Sequence, residues 1–172
     1  TAQNGAKDYL AKVRNELKTE RKNITNARIV EMISVLNMSR KKIVEDLIKQ
    51  GCHPNKTFTI KFPTENQVPK TLISHFMRGY FDGDGSIGLM RSGYYYANVV
   101  GTTSFCETFG KIIKDFDNKI EYIEDSINDK GTVVLRFTAK NPIRLGHFLY
   151  KTHCITLKRK FDKFKKILEI ER

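Results

Sequence analysis

Leu10, Val13 and Leu17 recur at helical spacing from about Lys7 onward and predict an amphipathic helix at the start of the chain. The run ARIVEMISVLN, residues 27–37, reads as a strand. Ser39 suits an N-cap for RKKIVEDLIKQG, a helix with Ile43 and Leu47 on its apolar side and Gly51 as its stop. Residues 52–69 hold three of the four prolines and predict a connector with a short extended piece. KTLISHFMRGYFDG is apolar enough for a well-buried helix, and SIGLMRS and YYYANVVGTT predict two strands turning around Ser92 and Gly93. FCETFGKIIKDF returns to helical periodicity through Phe105, Phe109, Ile112 and Phe116. KIEYIEDS and GTVVLRFTA predict two more strands around INDKG. NPIRLGHFLYK follows as a helix with Asn141 as N-cap and Pro142 at its first position. The basic helix TLKRKFDKFKKILEI ends the sequence, its Leu157, Phe161, Phe164 and Leu168 forming a stripe expected in the core.

The pattern contains an echo. Residues 31–56 slid forward by 102 positions set Val35 on Phe137, Ser39 on Asn141, Ile43 on Leu145, Leu47 on Leu149, Cys52 on Cys154 and Lys56 on Lys158. With a slightly different shift the helix of Leu10–Leu17 matches that of Phe109–Phe116. The expected organisation is a partial first repeat over 1–56, a linker over 57–68 and a complete second repeat over 69–172.

Composition narrows the class. With 172 residues, 40% hydrophobic and 29% charged, the chain has the balance of a soluble folded protein, and no apolar run approaches a membrane span. Three cysteines, Cys52, Cys106 and Cys154, lack CxxC spacing, which argues against a disulfide framework and for a reducing compartment inside the cell, whether cytoplasm, nucleoid or organelle matrix. The pairs Cys52-His53 and His153-Cys154 are too widely spaced for the usual zinc site and read better as ordinary core or surface residues. A net charge of +12, with a pI near 9.6, points to a polyanion, nucleic acid first, against a merely solvated basic surface.

The chemistry concentrates in FMRGYFDGDGSIG, residues 76–88. Gly79 and Gly83 stand four positions apart, on one helix face, and leave a shallow groove into which a second helix could pack. Asp82 and Asp84 emerge at the helix end, where a carboxylate and the carbonyl of Gly83 offer hard oxygen ligands for Mg²⁺ or Ca²⁺. Such ions serve phosphodiester cleavage by stabilising charge on the phosphate and lowering the pKa of an attacking water. A calcium loop of the EF-hand type starting at Asp82 fails, because Ile87 and Gly93 stand where glycine and glutamate are required. A structural turn with capping aspartates is the plainer alternative.

MRGYFDGDG, residues 77–85, resembles the motif of the LAGLIDADG homing endonucleases: Gly79, Asp82, Asp84 and Gly85 fall on the family's glycines and acids, while Met77, Arg78 and Gly83 depart from its letters. The element order over 69–172 is similar to the family's αββαββα half, and PNKTFTIKFP resembles the link between halves of two-motif members. The resemblance implies an α+β fold with a curved antiparallel sheet saddle, preceded by the remainder of a first half. It further implies a Mg²⁺-dependent endonuclease, with Ca²⁺ or Mn²⁺ able to substitute, that makes a double-strand break in a specific DNA sequence.

Carried over residue by residue, Asp84 is the metal-binding catalytic acid, Gly83 adds a main-chain oxygen and Asp82 holds the helix end. Lys158, with Lys56 as its repeat mate, would stabilise the transition state or help activate water, and Thr103, or less directly Ser104, would order that water. Ser86, Gly88, Met90, Ser92, Tyr94, Tyr96, Asn98 and Arg136 would face DNA bases, with Ile87 and Leu89 turned to the core. Lys160, Lys163 and Lys166 would contact phosphates. Only one such acid is visible, so the Gly79–Gly83 face requires a second motif helix, from a missing amino-terminal segment or another chain. The alternative is a non-cleaving DNA- or RNA-binding protein on the same fold, a transcription regulator or intron maturase.

Overall fold

The computed structural model describes residues 28–30, 33–35, 40–54, 56–128, 131–151 and 155–170. The helix expected around Leu10–Leu17, and Ser39, His153 and Cys154, lie outside them. Where a single strand was expected over 27–37, β1 (Arg28–Val30) and β2 (Ile33–Val35) pair antiparallel with each other, Val30 opposite Ile33. Helix α1 (Lys41–Lys49) has Arg40 at its N-cap and ends before Gly51, whose φ is +88°. The connector holds a single turn of 3₁₀-helix, Lys56–Phe58, and a second, Lys70–Leu72, leads into α2 (Ile73–Asp84).

From α2 onward the expected order appears. Strands β3 (Ser86–Leu89) and β4 (Tyr95–Thr102) lead into α3 (Thr103–Phe116); β5 (Ile123–Asn128) and β6 (Thr132–Thr138) lead into α4 (Asn141–Leu149) and α5 (Lys158–Ile170). The four strands form one open antiparallel sheet in the order β3-β4-β6-β5, so the architecture is α+β. The turn between β3 and β4 needs glycine at Gly93, where φ is +85°.

Alternation along the strands decides where the core sits. Ile87, Ala97, Val99, Leu135 and Phe137 are buried on one face, against which α3 and α4 pack. Those helices contribute Phe105, Phe109, Ile113, Leu145 and Leu149, with Met77 and Phe81 from α2 and Phe164 and Ile167 from α5. Thr102 caps α3, its Oγ1 accepting from Phe105 N at 3.3 Å. Asn141 does not cap α4; Lys140 holds that position, while Asn141 donates to Thr138 O and accepts from Glu121 N, both at 3.0 Å. Leu89, expected to turn to the core, is 58% exposed at the end of β3, and Phe116, the last residue of α3, is 45% exposed with its ring against that of Phe148. Among the described residues no helix is long and apolar enough to cross a membrane.

Candidate functional site

The site grows from the end of α2. The last carbonyls of a helix have no intrahelical partner, and here Gly85 turns the chain out in an extended conformation while its N–H still donates to Phe81 O at 2.9 Å. A Cβ at Gly85 would run into the Phe81 ring, so only glycine permits this exit. Asp82 is buried: Oδ1 accepts from Tyr150 Oη at 2.6 Å and Oδ2 from Leu157 N at 2.9 Å. It ties the end of α2 to Tyr150 and to the residue just before α5. Arg78, also buried, donates to the carbonyls of Ile155 and Leu149 and to His75 Nδ1.

Asp84 is exposed and lines a cleft of about 480 Å³ together with Lys56, Thr57, Ile60, Tyr80, Val100, Gly101 and Thr132. The cleft lies at the end of the sheet where β4 runs into α3 and β6 begins, and the connector reaches it through a specific latch. Thr102 Oγ1 donates to Ile60 O at 2.7 Å, and Ile60 N donates to Lys56 O at 2.9 Å. The Tyr80 hydroxyl donates to Val100 O at 2.6 Å. Burial, then the negative charge of Asp84, pushes that phenol well above its ordinary pKa, so it remains a neutral donor beside the acid. Buried Cys106 is pushed up to about 12 by desolvation and then by Glu124, which leaves it an inert thiol.

Of the predicted catalytic residues, the fold therefore brings Asp84 and Lys56 to one cleft and leaves two others outside it. Lys158 pairs with Asp162 at 2.5 Å on the exposed side of α5. Thr103 donates through Oγ1 to Gly131 O at 3.4 Å. Tyr80 and Thr132, absent from the sequence reading, line the cleft instead. Tyr80 could have been found from its place one turn before Asp84 on the same helix face.

Lys160 requires the largest correction. Expected on the surface against phosphates, it is 2% exposed, and its ammonium donates to Phe81 O at 2.6 Å, Asp82 O at 2.8 Å and Gly85 O. Burial, then the charge of Arg159, pulls its pKa down to about 8. The signal was present: Lys160, Phe164 and Ile167 fall at i, i+4 and i+7, on the buried stripe of α5. Lys163 similarly donates to Ile87 O at 2.9 Å.

The sheet's other face carries part of the predicted base-facing set. Register pairs Ser86 with Asn98, Gly88 with Tyr96 and Asn98 with Arg136, which puts all five on the face opposite Ile87 and Ala97. Tyr96 lies over Gly88, where a Cβ would touch its ring. Arg136 pairs with Asp125 at 3.3 Å. Met90, Ser92 and Tyr94 belong to the turn, where Met90 N donates to Tyr94 O, so strand alternation does not govern them. On α2, Gly79 and Gly83 are exposed, and a Cβ on either would meet nothing within 4 Å.

Asp84 and the carbonyl of Gly83, neighbours in the last turn of α2, are both hard-oxygen donors, and of the two Asp84 lines the cleft. Among the described residues no three His, Cys, Asp or Glu side chains gather to hold a metal ion, so a closed protein cage is not formed. The pair fits Mg²⁺, which keeps most of its waters and takes only one or two carboxylates beside phosphate oxygens. No protein-family model matches this sequence, and no curated protein matches it.

Proposed function

We propose that the chain is a sequence-specific DNA endonuclease of the LAGLIDADG type, cutting both strands by metal-dependent phosphodiester hydrolysis. The observation that carries this reading is the meeting of Asp84 and Lys56 in one cleft at the end of a sheet whose face opposite the core carries exposed Ser86 and half-buried Tyr96, Asn98 and Arg136. In the reading, Asp84 and the Gly83 carbonyl would hold Mg²⁺, which would supply charge stabilisation at the scissile phosphate and a more acidic water. Lys56 adds a cation to the same cleft, and Tyr80 donates a hydrogen bond to the cleft wall at Val100 O. A net charge of +12 supplies the sequence-independent attraction to double-stranded DNA. The open Gly79–Gly83 face takes a second motif helix, from a preceding segment or another chain, and residues 1–56 are the remainder of a first repeat.

The test is incubation with a randomised plasmid library and Mg²⁺, followed by sequencing of the cut ends. One recurrent site is expected, with cleavage at least about 1000-fold slower in Asp84→Asn, the order of loss for removing an essential electrostatic group. The placement of Lys158 outside the cleft favours the second reading, a DNA- or RNA-binding protein without cleavage. Tight, salt-sensitive binding with no cutting by the unmodified chain would establish that one and sink the nuclease.

A further inference from the structure

The mechanism above uses Asp84 and leaves unexplained why a lysine is buried beneath it. An ammonium taken out of water is costly unless each of its protons finds an acceptor. Lys160 has three protons and three acceptors, all main-chain carbonyls at the end of α2: Phe81 O, Asp82 O and Gly85 O. Helix ends are commonly closed by a left-handed glycine whose N–H groups return to the last carbonyls. Gly85 is not left-handed, with φ −72° and ψ 162°, so most of those carbonyls need another donor, and the chain can leave directly into β3. Lys160 supplies the donor and sets a positive charge on the negative end of the helix. The Asp82 carboxylate runs the opposite way, to Leu157 N and Tyr150 Oη. The peptide units on both sides of Gly83 and Asp84 are thereby fixed from below, while Asp84 itself stays exposed.

We propose that Lys160 is the positioning residue for the acid: its ammonium, bound to the carbonyls of residues 81, 82 and 85, sets the direction in which Asp84 faces the cleft. The proposal deepens the nuclease reading and rests on it for the role of Asp84. It separates Lys160 from the neighbouring lysines of α5. Lys163 donates to one strand carbonyl, Ile87 O, and to none at the end of α2 among the hydrogen bonds of the described residues.

The experiment uses the whole ¹⁵N-labelled chain and Mn²⁺ as the probe, read by amide line broadening. In the unmodified chain, broadening is expected to centre on residues 83–85 and to disappear in Asp84→Asn. Lys160→Met, close to lysine in length and uncharged, is expected to weaken Mn²⁺ binding there by about tenfold or more, the usual effect of removing a group that orients a ligand. Amide signals of α3 and β6 should stay in place, and Lys163→Met should change the affinity less than about threefold. A folded Lys160→Met with unaltered Mn²⁺ binding overturns the proposal and leaves Lys160 a stability residue. If Lys160→Met does not fold, exchange of the Lys160 ammonium protons in the unmodified chain decides. Exchange at least about tenfold slower than at Lys166 supports the clamp; equal exchange removes it. Absence of Mn²⁺ broadening near Asp84 in the unmodified chain counts against the metal site of the nuclease reading, and the ammonium exchange still decides the clamp.

Discussion

Helices α1 and α4 occupy matching places in the 102-residue echo, yet one is embedded and the other is bare. Ile43 corresponds to Leu145 and Leu47 to Leu149. Leu145 is 0% and Leu149 1% exposed, whereas Leu47 is 46% exposed and α1 buries none of its residues. Both sequences have the same amphipathic spacing. The difference is that α4 lies against β6, α2 and α5, while on α1 Ile43 is only half-buried and Val44, Leu47 and Ile48 are exposed. Periodicity thus specifies which face of a helix is apolar; whether that face is stabilising depends on what packs against it. The same distinction applies within α2, whose Met77 and Phe81 are buried while Gly79 and Gly83 face open space.

The sharpest way to break this comparison is to truncate the matched leucines. Leu145→Ala should cost about 2–5 kcal/mol, the range for emptying a closed core position. Leu47→Ala should change stability by no more than about 0.5 kcal/mol, as surface substitutions do. Urea midpoints at unchanged slope measure both. A comparable loss in Leu47→Ala would mean that α1 is covered in solution and that the contrast with α4 is false.

A smaller effect distinguishes two glycines. Gly110 of α3 faces the Tyr122 hydroxyl so closely that an added Cβ would force the ring aside, and Gly110→Ala should destabilise by about 1–3 kcal/mol. Gly79→Ala meets no neighbour within 4 Å, so in the isolated chain it should stabilise by up to about 1 kcal/mol through helix propensity. If the Gly79 face receives a second helix, as proposed, the same substitution should lower association measured by sedimentation. Thermal unfolding that places both alanines on the destabilising side would show the Gly79 face already occupied within the chain.

The parts of this protein legible in the sequence are those where one local pattern suffices. The order from α2 to α5 followed from apolar periods of two and 3.6 punctuated by glycine, whereas the repeat register offered Lys158 and Lys56 alike and only Lys56 of the two lines the cleft with Asp84. What was hidden depends on partners distant in sequence. Lys160 falls in step with Phe164 and Ile167, yet among the charges of KRKFDKFKK that spacing is outweighed, because the acceptors that explain its burial lie 75 to 79 residues away. Asn141 has an N-cap's chemistry, but Glu121 N and Thr138 O claim its side chain. Tyr94 continues the alternation of Tyr96 and Asn98 on paper, yet the ladder starts at Tyr95 and its neighbour is a turn.

The smallest expected effect tests the charged anchors of the two matched helices. Arg144 of α4 holds Asp117 through Nη1, at 2.9 and 3.2 Å from its two carboxylate oxygens, and Asp117 Oδ1 also accepts from Lys119 N at 3.0 Å. The hydrogen bond from Lys119 N, opposed in part by desolvation and joined by Arg144, holds the Asp117 carboxyl below its ordinary value. A carboxyl whose folded pKa lies below the unfolded one adds stability above the unfolded value, about 3.9, and loses it as the pH falls through the folded value. Asp117→Asn should therefore lower stability near neutral pH, and its difference from the unmodified chain should shrink in acid. On α1, Lys42 and Asp46 form only an exposed i,i+4 pair at 3.6 Å, of the kind that contributes little. Asp46→Asn should change stability near neutral pH by no more than about 0.5 kcal/mol; a loss there equal to that of Asp117→Asn would show that α1 is anchored as firmly as α4.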